Sequence, residues 1–168
     1  MSLTDPVELT DTPFFPQKKF QCGPAALATL LQVSDVTVVP AELEKQVYLP
    51  KRKGSLQAEL LAAVRRHDRL PYILQGNFTA LAAELAAGNP VLVLQNLGFS
   101  FAPRFQYAGV VGLTDRDVIL RSGEQRRLQM QHRDFLRSWK AADYWAMVVV
   151  HPGQFPAGYN KESYLKAS

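Results

Sequence analysis

Cys22 is the only cysteine in a chain of 168 residues, and it heads the segment Cys22-Gly23-Pro24-Ala25-Ala26-Leu27. Pro24 suits the first turn of a helix, where its missing N–H costs nothing, so the spacing puts the thiol at a helix N-terminus. There the helix dipole and unpaired backbone N–H groups favour the thiolate, which predicts a lowered pKa and nucleophilic chemistry. Few residues could serve such a thiol. The only imidazoles are His67, which follows Arg65 and Arg66 at a helix end, His132, after a strand, and His151, closing the last strand. Asp115 and Asp117 flank a tight turn that explains both without catalysis. A single cysteine excludes an internal disulfide and a multi-thiolate metal site, and no nucleotide loop is present, so no metal or cofactor is implied.

The elements that must position Cys22 fall into a helical first half and a stranded second half. Residues 1–15, with Pro6 and Pro13, suit an extended arm. From Gly23 to Gln32 the chain is apolar almost all round, the pattern of a buried helix. Pro40 to Val47 reads as a short helix and Tyr48 to Gly54 as a basic loop. Ser55 is the expected N-cap of a helix that buries Leu56, Leu60, Leu61 and Val64. Leu70 to Leu74 is a short strand, and Phe78 to Ala87 a helix stopped by Gly88-Asn89-Pro90. Val91 to Asn96 has the continuous apolar run of a central strand. After a loop from Gly98 to Pro103, further strands are expected at Phe105 to Leu113, Asp117 to Arg121, Gln125 to Met130 and Tyr144 to His151. A helical turn from His132 to Ala141 intervenes. This segregation predicts an α+β fold, with a mainly antiparallel sheet packed on the cysteine helix. One domain is expected over residues 16–152, followed by an irregular tail over 153–168.

Apolar residues make up 47% and charged residues 20%, an ordinary globular balance. No apolar run reaches the roughly 18 residues of a membrane-spanning helix. The net charge of +4 comes from 19 basic and 15 acidic residues, whose basic clusters are short and separated. Without aromatic interleaving they read as solvated surface, not as a nucleic-acid site. The N-terminus lacks the pattern of a secretory signal, and Met1-Ser2-Leu3 reads as a vector remnant.

On three segments the sequence resembles the papain-like peptidases of the bacteriocin-processing, or C39, family, which cut after double glycine. They are Cys22 to Leu27, Lys53-Gly54-Ser55-Leu56-Gln57, and Pro90 to Gly98. The resemblance implies a papain-like fold, Cys22 as nucleophile, and Gln17 as the side chain that donates to the oxyanion. Such a donor is worth about 3 kcal/mol in acyl transfer. It also implies a catalytic histidine in the segment that here reads Phe105-Gln106-Tyr107-Ala108, so Gln106 occupies the histidine position. Where the family has Asp-Pro to orient the imidazole, this chain has Arg121-Ser122.

Glutamine cannot titrate, so neither a base for the thiol nor an acid for the leaving amine is supplied. The expected protein is a pseudopeptidase that binds a peptide or protein segment, such as a Gly-Gly leader, with Phe105, Tyr107 and Asn96 lining the groove. Phe99 or Phe101 would stand near its rim. The alternatives are an active double-glycine peptidase or acyltransferase with a relocated histidine, and an interaction module in which Cys22 is core packing. By resemblance, a protein with a removed leader would be periplasmic, secreted or lipid-anchored, and otherwise cytoplasmic.

Overall fold

The run Val91–Asn96 forms a strand with all six residues buried, and the rest of the sheet is assembled on either side of it. The computed structural model describes residues 6–16, 22–49, 54–55 and 57–157. In chain order the elements are β1 (Val7–Glu8), α1 (Cys22–Val33), α2 (Pro40–Val47), β2 (Tyr48–Leu49), β3 (Gly54–Ser55), α3 (Gln57–Arg66), β4 (Leu70–Ile73) and α4 (Phe78–Ala86). They continue with β5 (Val91–Asn96), β6 (Phe105–Leu113), β7 (Asp117–Ser122), β8 (Gln125–Gln131), α5 (His132–Lys140) and β9 (Ala146–Val150). Among the described residues one seven-stranded antiparallel sheet runs β4-β9-β5-β6-β7-β8, with β1 paired to the far end of β6. The fold is α+β.

Side-chain alternation along β5 divides two cores. Leu92 and Leu94 point to the face covered by α1, α2 and α3, where they meet Leu27, Leu31, Leu43 and Leu60. Val91 and Val93 point to the other face, against Leu81 and Leu85 of α4 and Phe135 and Trp139 of α5. Pro71 lies in β4, an outermost strand, where a missing ladder donor is tolerated. The expected cap at Ser55 needs correction: Ser55 pairs with Tyr48 in a two-residue hairpin, and α3 begins at Gln57. Hairpin pairing has taken the residue that local preference would assign to the helix.

The described residues after β9, 151–157, form no helix or strand and are anchored to α4. The buried carboxylate of Glu84 accepts the Ala157 N–H at 2.8 and 3.0 Å. The turn before β9 holds two consecutive non-glycine residues at positive φ, Asp143 and Tyr144, both at 56°. Left-handed backbone at a bulky residue persists only where its surroundings enforce it. Here Tyr144 fits because Gly76 has no side chain, since a Cβ on Gly76 would lie 2.3 Å from Tyr144 Cβ. Gly76→Ala is therefore expected to lower stability by about 3 kcal/mol in urea unfolding, as overpacking against a fixed neighbour does.

Candidate active site

Cys22 is the first residue of α1, as its motif predicts, and its sulfur sits where β6 and β7 part. The backbone explains this placement. Leu94 donates its N–H to Trp145, away from β6, so Tyr107 opposite it is a non-hydrogen-bonded partner. The Tyr107 N–H therefore points toward β7. Pairing with β7 starts only at Gly109 and Arg121, which leaves that N–H open. That N–H and those of Gly23 and Cys22 itself lie near the Cys22 sulfur and act on it as dipoles.

Those donors favour thiolate, but burial opposes it more strongly and pushes the Cys22 thiol above its ordinary range. This corrects the lowered pKa expected from helix position alone. Cys22 packs at the margin of the α1-side core, as do Phe15 and Trp145. Trp145 meets the Tyr107 ring edge-on at 5.6 Å. The apolar surroundings outweigh a few backbone dipoles. The Tyr107 hydroxyl is pushed up as well, by burial and then by the charge Cys22 would carry.

Gln106 lies opposite Gln95 and donates from Nε2 to Ser122 Oγ at 2.6 Å, across sixteen positions of sequence. Of the two residues that stand where the resemblance has Asp-Pro, the first, Arg121, turns to other partners, and it is the second, Ser122, that contacts Gln106. Gln106 and Ser122 are both neutral side chains. Gln17 falls outside the described residues.

The three imidazoles are placed elsewhere. His151 bonds Asp35 at 3.1 Å, beyond the C-terminal end of α1, a helix that spans about 18 Å from Cys22. His67 ends α3 beside Arg69, whose Nε donates to the Ser34 carbonyl at that same far end. His132 bonds the Thr114 carbonyl at 2.8 Å and packs 4.9 Å from Phe78, on the α4 side of the sheet. Among the described residues no cluster of His, Cys, Asp or Glu could hold a metal.

Asn96 serves its loop. Its Oδ1 accepts the Gly98 and Arg104 N–H groups, both at 2.9 Å. Phe105 is 55% exposed, two residues from buried Tyr107 on the same strand. Arg121 is a residue whose role residue type alone did not disclose. Buried at the end of the apolar run Val118-Ile119-Leu120, its guanidinium donates to the carbonyls of Thr10, Thr12 and Arg126. It fastens the arm that leads into the Cys22 segment, and its interruption of an apolar run was the available signal.

No protein-family model matches the sequence, and no curated protein is found to be similar to it. Solved structures do match. A C39-like peptidase from Bacillus anthracis has a TM-score of 0.71 at 15% identity, covering 87% of this chain and 98% of that one. The peptidase domain of Streptococcus ComA, a bifunctional ABC transporter of a quorum-sensing pathway, has a TM-score of 0.66 at 15% identity, covering 83% and 98%. A double-glycine-motif protease from an AMS/PCAT transporter, in complex with its leader peptide, has a TM-score of 0.64 at 16% identity, covering 86% and 96%. The chain has the papain-like fold of C39-type peptidase domains.

Proposed function

We infer that this domain is a peptide-binding pseudopeptidase. The observation that carries the reading is the contact of Gln106 with Ser122, a pair in which neither side chain titrates, together with the burial that raises the Cys22 thiol. Amide hydrolysis needs a group that takes the thiol proton and returns it to the leaving amine, and neither side chain does this. Loss of the base costs several orders of magnitude where nucleophile and base act as a unit. The peptide would lie at the head of α1, near Tyr107 and Trp145, with exposed Phe105 at its edge. The leader peptide bound to the AMS/PCAT protease supports a peptide as ligand. By this reading residues 16–152 hold the site and residues 1–15 are the arm that braces it.

The test uses a synthetic leader peptide ending in Gly-Gly, extended by a short cargo and labelled for anisotropy. Saturable binding is expected, unchanged within about twofold in Cys22→Ala because the thiol performs no chemistry. The peptide is expected to stay intact by mass spectrometry. Cleavage by the wild type that Cys22→Ala abolishes would overturn the reading, and so would absence of binding across a library of such peptides.

A further inference from the structure

The hairpin joining β5 to β6 carries an apolar tip that the groove does not account for. Phe99 is 68% exposed and Phe101 85%, yet their rings lie nearly parallel, 5.3 Å apart and 4° from coplanar. Isolated exposed apolar residues are ordinary, whereas a stacked pair on a projecting turn is a surface with a use. The turn is rigidly built. Phe99 and Ala102 exchange backbone hydrogen bonds at 3.1 Å, Leu97 donates to Arg104 at 2.8 Å, and Asn96 Oδ1 takes the N–H groups of Gly98 and Arg104. Gly98 admits no side chain, since a Cβ there would stand 2.4 Å from the Ala102 carbonyl.

We propose that this tip inserts into the interface of an anionic lipid bilayer. Three observations choose lipid over a protein partner. From Leu97 through Pro103 the loop holds no charged residue. Its backbone donors are satisfied within the loop save the Ser100 and Phe101 N–H groups, and Pro103 has none. Satisfied backbone is what an apolar medium demands of any inserted segment. Finally, both stacked rings are largely exposed, and a deformable medium can cover them without a matching pocket. Exposed Arg104 at its base and a chain of net charge +4 supply the attraction to acidic headgroups. Because Phe105 and Tyr107 continue from this hairpin toward Cys22, insertion would hold the groove close to the membrane surface.

Vesicles of phosphatidylcholine with about a quarter phosphatidylserine are the probe. The full chain is expected to co-sediment with them, more weakly as salt is raised. Phe99→Ser with Phe101→Ser should reduce the bound fraction by about tenfold or more, while Phe155→Ser, at an exposed phenylalanine elsewhere, should leave it unchanged. Phe101→Trp should show a blue-shifted emission on adding vesicles. Equal sedimentation of the double variant, an unshifted tryptophan, or a tip whose loss weakens only leader-peptide binding would each overturn the proposal. The vesicle readout is independent of whether the groove binds peptide, so the two readings fail separately.

Discussion

Gln106→His combined with Ser122→Asp is expected to convert Cys22 from a neutral thiol to a thiolate at neutral pH. The two side chains already touch at 2.6 Å, so an imidazole and a carboxylate placed there can form the oriented pair that the wild type lacks. Tyr107, the residue next to Gln106, turns its backbone N–H toward the Cys22 sulfur, so the double variant tests whether a side chain at 106 reaches the thiol. A cationic imidazole within about 4–6 Å lowers a thiol pKa by about one to three units, in opposition to the burial that now raises it. Alkylation by iodoacetamide at neutral pH should therefore accelerate by about two orders of magnitude. Gln106→His alone should give less, because nothing fixes the ring. Ser122→Asp alone should slow the reaction, since a bare carboxylate beside the thiol disfavours its ionisation. An unchanged rate in the double variant would mean that residue 106 does not reach the sulfur.

A large loss of stability is expected from Arg121→Met. Methionine keeps much of the length and the apolar stem but removes every donor, leaving the carbonyls of Thr10, Thr12 and Arg126 without the guanidinium that now serves them. An orphaned buried acceptor costs about 1–3 kcal/mol, and partial rehydration recovers some of it, so a net loss of about 3 kcal/mol is expected in urea unfolding. The loss should be local in character, with residues 8–16 cut faster by protease before global unfolding. The arm has a second tie, Arg127 to Glu8, with both oxygens at 2.9 Å. That pair holds the Glu8 carboxyl below its usual range, but it lies at the surface, where such pairs contribute little. Arg127→Ala should accordingly leave stability nearly unchanged, and a large effect there with none at Arg121 would reverse this ranking.

Much of the scaffold was legible because local signals and tertiary demands agree. The all-round apolar pattern after Cys22 could only be a buried helix, and Val91 to Asn96 only a central strand. Ser55 was misread because its cap preference is local, whereas the hairpin that claims it depends on a partner at Tyr48. At the site, residue types announced Cys22 and the absence of a base at position 106. They could not announce that the helix head would be enclosed by apolar surroundings, and so the sign of the thiol shift came out opposite. Arg121 shows the same limit. A cation served by backbone carbonyls more than a hundred positions away leaves no acidic partner in the sequence to find. The exposure of the phenylalanines at 99 and 101 and the closed turn beneath them were not legible, because both depend on how the hairpin folds back on itself.

The claim on which the rest depends is that Cys22 has no imidazole partner. Its alkylation by iodoacetamide, followed as a function of pH in the folded wild type, tests this directly. The account predicts a single rise with an apparent pKa above that of an ordinary thiol and no reactive plateau at or below neutrality. A plateau of full reactivity extending into mildly acidic pH, the signature of a thiolate–imidazolium pair, would contradict it.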